Sequence, residues 1–173
     1  APAPERAREA APTHSCRPGR SGGSRRLRLW AHIYLHMQAP GFDLVPRLIG
    51  RGGSNMRRIA DMTSAKIRIR GRGSGHLEID GTHEAPTPLM VAVTTDHTDA
   101  SGFKLAIEMT IKELKLVESR FHAFCEKNGI EHEGPCYSLG LLADAAQGML
   151  DDHLPPAPPP PRGAGPPEGG EEG

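Results

Sequence analysis

Ile49-Gly50-Arg51-Gly52-Gly53-Ser54-Asn55-Met56 is the stretch on which the fold turns. Three glycines in four positions do not continue a helix cheaply, because glycine loses more backbone freedom on ordering than any other residue. Apolar residues at helical spacing nevertheless lie on both sides. Before the stretch, Asp43 is placed to cap a short helix running through Leu48 and Ile49. Pro46 fits its first turn, where amides lack intrahelical partners anyway. After the stretch, Ser54 or Asn55 is placed to cap a second helix with Met56, Ile59, Ala60 and Thr63 on one face. A glycine loop between two helices has a physical use. Without Cβ atoms it lets a nucleic-acid backbone come close. The helix that follows offers unpaired N–H groups and a positive dipole end to phosphate. Arg51 adds a charge beside that surface, and Ile49, Met56 and Ile67 or Ile69 supply apolar walls.

Outward from the loop, the periodicities define the remaining elements. Residues 27–37 alternate, with Leu27, Leu29, Ala31, Ile33, Leu35 and Met37 on one side and Arg28, Trp30, His32, Tyr34 and His36 on the other. This predicts a half-buried strand. His32 and His36 then share a face but lie too far apart for one ion. A second strand places Ala65, Ile67 and Ile69 inward and Lys66, Arg68 and Arg70 outward. A glycine-rich loop from Gly71 to Thr87 carries Glu78, Asp80 and Glu84, whose acidity limits how far a nucleic acid can follow it. A third strand buries Leu89, Val91 and Val93. From Asp99 or Ser101 to about Lys127, Phe103, Ile107, Ile111, Leu114, Val117, Phe121 and Phe124 form the apolar stripe of a long helix. Residues 141–150 suggest a further short helix.

These runs carry a resemblance to a known family. Ile49-Gly50-Arg51-Gly52-Gly53, with Ile59 six residues on, matches the I-G-x-x-G signature of the KH domain, type I. Ala65-Lys66-Ile67-Arg68-Ile69-Arg70-Gly71-Arg72-Gly73-Ser74 resembles the K-I-x-x-R-G-[KR]-G-S run of the branchpoint-binding and STAR-like KH proteins associated with pre-mRNA splicing. The resemblance covers roughly residues 28–125. It implies an α+β fold, βααββα, with a three-stranded antiparallel sheet and three helices on one face. It also implies a groove that clamps four single-stranded RNA nucleotides. Gly50, Arg51, Gly52 and Gly53 would pass the RNA backbone, with Ser54 and Asn55 beside them. Ile49, Met56, Ile67 and Ile69 would hold bases, and the strand 66–70 backbone would read a Watson–Crick edge. Arg68, Arg70 and Arg72 would meet phosphates or bases. Residues 129–154 do not match the segment that STAR proteins carry after the KH domain, so no longer footprint is implied. The expected setting is nuclear mRNA processing, alongside other RNA-processing proteins.

Composition agrees with this reading once it is resolved along the chain. Overall, 21 Lys+Arg balance 21 Asp+Glu, but residues 1–72 hold 15 basic and 4 acidic side chains and residues 73–173 hold 6 and 17. Such asymmetry points to a nucleic-acid partner and an acidic tail. Aromatic residues make up 4%, too few for the ring platforms of an RRM or OB fold. Of 17 prolines, only 4 fall within 28–128. A disordered basic arm over 1–27, a domain over 28–128 and an acidic, Pro/Gly-rich disordered tail over 129–173 are therefore expected. The tail is expected to compete with RNA for the basic face.

Other functions are weaker readings. No Walker A, HExxH or nucleophile elbow occurs, so no enzyme and no cofactor is expected. No apolar run spans a membrane. No secretory signal is expected at the N-terminus, which begins with Ala1 as a fragment or processed chain would. Cys16, Cys125 and Cys136 read as reduced thiols. His122, Cys125, His132 and Cys136 lack the close cysteine pair of a structural zinc site, so no metal is expected. Pro155–Pro161 reads as a spacer, with docking to an SH3, WW or EVH1 groove as its functional alternative. A protein-interaction adaptor using residues 117–127 of the long helix and the proline-rich tail is the rival to RNA binding.

Overall fold

The computed structural model describes residues 28–96 and 100–150. The arm 1–27, Asp99 and the Pro155–Pro161 segment lie outside the described residues.

Alternation in the first strand is realised in full. β1, Leu29–Leu35, buries Leu29, Ala31, Ile33 and Leu35 and leaves Trp30, His32 and Tyr34 half-buried. α1 (Leu44–Ile49) and α2 (Ser54–Thr63) flank a 3-10 turn at Arg51–Gly53. β2 (Lys66–Arg70) and β3 (Met90–Thr95) follow, then α3 (Ala100–Asn128). β3 pairs antiparallel with both β1 and β2, setting Ile33 and Ile69 against Val91, and Ala31 and Ile67 against Val93. These side chains share one face of the sheet. Over it lie Phe103, Ile107, Leu114, Val117 and Phe121 of α3, all at 2% exposure or less. Phe42, ahead of α1, meets Phe121 edge-on at 5.0 Å.

Two expectations about capping are corrected. Asp43 holds the N-cap position of α1 but makes no side-chain bond there. Gly53, in the left-handed conformation, holds that of α2, so neither Ser54 nor Asn55 is the cap.

A larger difference lies in residues 129–150, which were expected beyond the domain boundary at 128. They carry a fourth strand, β4 (Tyr137–Leu142), and a 3-10 turn at Asp144–Ala146 in place of a helix over 141–150. The sheet is four-stranded, in the order β2-β3-β1-β4. β4 pairs antiparallel with β1, and its register shifts between the pairs Leu142–Ala31 and Leu139–Ile33. Gly140 sits at this irregularity, where a Cβ would come within 2.7 Å of the Tyr34 ring. The bulge breaks the two-residue period: Tyr137 and Ser138 are both buried, while Leu141 is 62% exposed. With β4 in place, the β1 edge has its backbone groups paired.

Candidate nucleic-acid interface

The turn between α1 and α2 is built around Gly50. Its φ of 78° and ψ of 171° belong to a region that only glycine occupies without strain. A Cβ there would also lie 2.7 Å from the Asn55 side chain. Asn55 itself turns back and donates from Nδ2 to the Leu48 carbonyl at 3.1 Å. It therefore holds the loop in place instead of pointing outward. Gly50 N–H closes α1 on the Pro46 carbonyl at 3.0 Å. Arg51 and Gly52 are exposed, and nothing lies within 4 Å of a Cβ built on Gly52. Arg57, which sequence reasoning passed over, donates to the Gly52 carbonyl.

Beside this turn lies a cavity of about 410 Å³, lined by Ile49, Met56, Ile67, Arg68, Ile69, Arg70, Ser74, Gly75 and His76. All six of the expected wall and strand residues thus meet in one place. β2 is an edge strand, so one side of its backbone faces this region with no strand partner. Arg68 and Arg70 alternate toward the sheet face away from the helices, yet both reach the rim of the cavity. Ser74 closes the run that carries Arg70 and Arg72, whereas Gly75 and His76, which follow it, were not singled out from the sequence. Arg72 is the exception. It lines a separate cavity of about 450 Å³, with Phe42, Asp43, Pro46, Gly73 and Leu89 among its neighbours.

Pairing sorts the positive charges. Lys66 binds Asp96, which also holds Arg28. The Lys66 hydrogen bond is the main force keeping the Asp96 carboxyl below its usual range, with Arg28 assisting. Arg58 pairs with Glu113, a nearly buried carboxylate of α3. Among the described residues, no carboxylate pairs with Arg51, Arg68, Arg70 or Arg72.

The carboxylates of the loop between β2 and β3 are held ionised by the loop's own amides. Glu84 accepts from the Gly73 and Gly75 amides at 2.7 and 2.5 Å, and these bonds lower its carboxyl's pKa. Asp80 is held down to about 2, chiefly by the Thr82 amide and then by His83. Both carboxylates are therefore occupied within the loop. Gly71 closes its base with φ 94°, where a Cβ would stand 2.1 Å from the Pro88 carbonyl oxygen.

No helix among the described residues is long and apolar enough to cross a membrane. Comparison with known proteins agrees with the geometry. Residues 38–115 match the model of KHDC4/BBP-like type I KH domains. A 43-residue stretch is 49% identical to a Tudor and KH domain-containing protein homolog of Drosophila melanogaster, covering 24% of this chain and 8% of that protein. The chain thus spans a small fraction of that relative's length. The two helices, the glycine turn and the edge strand are all in place, and residues 38–115 are similar to type I KH domains of the KHDC4/BBP-like kind.

Proposed function

We propose that the protein binds single-stranded RNA in the cavity between the glycine turn and β2. The observation that carries this is the convergence of four apolar walls (Ile49, Met56, Ile67 and Ile69) with Arg68 and Arg70 around about 410 Å³. Unstacked bases fit such walls, and the unpaired edge of β2 offers backbone donors and acceptors to a Watson–Crick edge. The exposed turn and Arg51 serve the phosphates, next to the N-terminus of α2.

The test is Arg51→Asp combined with Gly52→Asp, read by fluorescence anisotropy against a pool of short single-stranded RNAs. Aspartate tolerates the left-handed region better than most residues, and Gly52 at φ 59°, ψ 23° has open space around it. The fold should therefore survive, as circular dichroism will show. Binding should fall by about tenfold or more. Undiminished binding by the folded variant would move the site elsewhere.

The process assigned is pre-mRNA processing in the nucleus, supported by the KHDC4/BBP-like match. Crosslinking of the tagged chain to cellular RNA should recover intronic sequence, and recovery of only mature cytoplasmic message would sink the assignment. RNA binding is favoured over an adaptor role for residues 117–127 because Val117, Phe121 and Cys125 are buried against the chain's own core.

A further inference from the structure

The last turns of α3 and the strap that returns from them to β4 build a second constellation. It lies outside the family match at 38–115. Glu118 and His122 stand four residues apart on α3, so their side chains share a face. The strap 129–136 brings Cys136, just before β4, onto that face. His122 Nε2 lies 3.6 Å from Cys136 Sγ and 3.9 Å from Glu118 Oε1. A nitrogen, a sulfur and a carboxylate oxygen thus all lie within 4.8 Å of one another.

These separations suit a tetrahedral ion. With metal–nitrogen and metal–sulfur bonds of about 2.05 and 2.3 Å, the N···S edge of a tetrahedron is roughly 3.6 Å. The observed edge already has that length. The N···O edge needs to close by only about 0.6 Å, and the His122 and Glu118 side chains are 58% and 30% exposed, leaving room to move. A second observation comes from the strap. His132 Nε2 is shut off from solvent and has no hydrogen-bond partner, and its ring lies 6.5 Å from that of His122. An imidazole nitrogen in that condition is short of a proton donor, a proton acceptor or a metal.

We propose that Glu118, His122 and Cys136 form a zinc site that staples the strap and β4 to α3, with His132, whose ring lies 6.5 Å from that of His122, the candidate for a fourth ligand. Mixed nitrogen, thiolate and carboxylate donors favour zinc over the harder cations, which take oxygen alone. As the sulfur–zinc bond forms, the thiol proton leaves to solvent and no electron moves. Cys125, buried in the core, is not among the ligands. The spacing of His122, Cys125, His132 and Cys136 concealed the site, because one true donor, Glu118, comes before that run.

The test uses the full 173-residue chain, purified without added metal and titrated with cobalt(II). One cobalt per chain should bring a thiolate-to-cobalt charge-transfer band in the near ultraviolet and strong tetrahedral bands in the visible, both erased by zinc. Cys136→Ser should abolish the charge-transfer band, and Cys125→Ser should keep it. His122→Ala, at an exposed position, should leave the circular dichroism spectrum unchanged while weakening zinc binding by about tenfold or more. Zinc should raise the melting temperature of the parent chain and not that of His122→Ala. Absence of the charge-transfer band from the parent, its survival in Cys136→Ser, or its loss in folded Cys125→Ser would each overturn the proposal.

Discussion

At the scale of single residues, the two exposed-looking glycines of the turn make opposite demands. Gly50 combines φ 78° with ψ 171° and a 2.7 Å approach of the Asn55 side chain. Gly50→Ala should therefore cost about 1–3 kcal/mol in urea unfolding, whereas Gly52→Asp should cost far less. Equal losses would mean that the turn tolerates a Cβ at either place. The spacing of glycines in the sequence reveals a turn but not which glycine is indispensable, because that depends on Asn55 folding back to Leu48. Glu113 gives a second case. It lies on the buried side of α3 and its carboxylate has Arg58 as partner. Arg58→Ala should destabilise by about 1–3 kcal/mol, since a nearly buried carboxylate is left unpaired. A change within about 0.5 kcal/mol, the usual range for a surface substitution, would show that water replaces the guanidinium. Neither partner stood out in the sequence, where Glu113 falls between Ile111 and Leu114 and the packing of α2 on α3 is not written.

At the scale of elements, the β2–β3 loop is organised by its own carboxylates. Asp80 accepts from the Thr82 and His83 amides and from the His83 ring, and its pKa is brought from 3.8 down to about 2. Because the folded value lies below the unfolded one, the Asp80 contribution is complete above about pH 4 and fades as pH falls toward 2. Carbon-13 NMR of the Asp80 carboxyl should give a midpoint near 2. A midpoint near 3.8 would show that the loop does not hold those bonds. The elements themselves were legible to different degrees. β1 and α3 follow their periods closely, since each presents one continuous face to one core. β4 did not show, because its bulge at Gly140 breaks the alternation and Cys136, Tyr137 and Ser138 are buried in succession. The groove walls were legible because Ile49, Met56, Ile67 and Ile69 each belong to an element whose inward face the sequence already declares. Arg72 was not, because its position depends on how Gly71 closes the loop against Pro88.

At the scale of the whole molecule, charge and chain end have to be separated. Residues 28–72 carry 9 basic and 2 acidic side chains, and residues 151–173 carry 1 and 5. Competition between the acidic surplus after 150 and phosphate would act only through solvent-screened attraction, and would be strongest at low salt. Truncation after Leu150 should therefore tighten RNA binding by about threefold to tenfold in dilute buffer, with the difference vanishing near 0.5 M salt. Truncation after Asn128 removes the same acidic residues but also β4, Cys136, Tyr137, Ala143, Ala146 and Leu150, all buried. Leu150 alone, at 0% exposure, represents about 1.5–3 kcal/mol of burial, and the β1 edge loses its partner strand as well. The shorter chain should lose at least about 3 kcal/mol, a large share of the 5–15 kcal/mol that holds an ordinary domain together. Measuring both truncations by thermal melting and anisotropy separates the two effects. If the chain ending at 150 binds RNA no more tightly at low salt, the tail does not compete. If the chain ending at 128 melts where the parent does, β4 is an accessory to the sheet and not part of the folding unit.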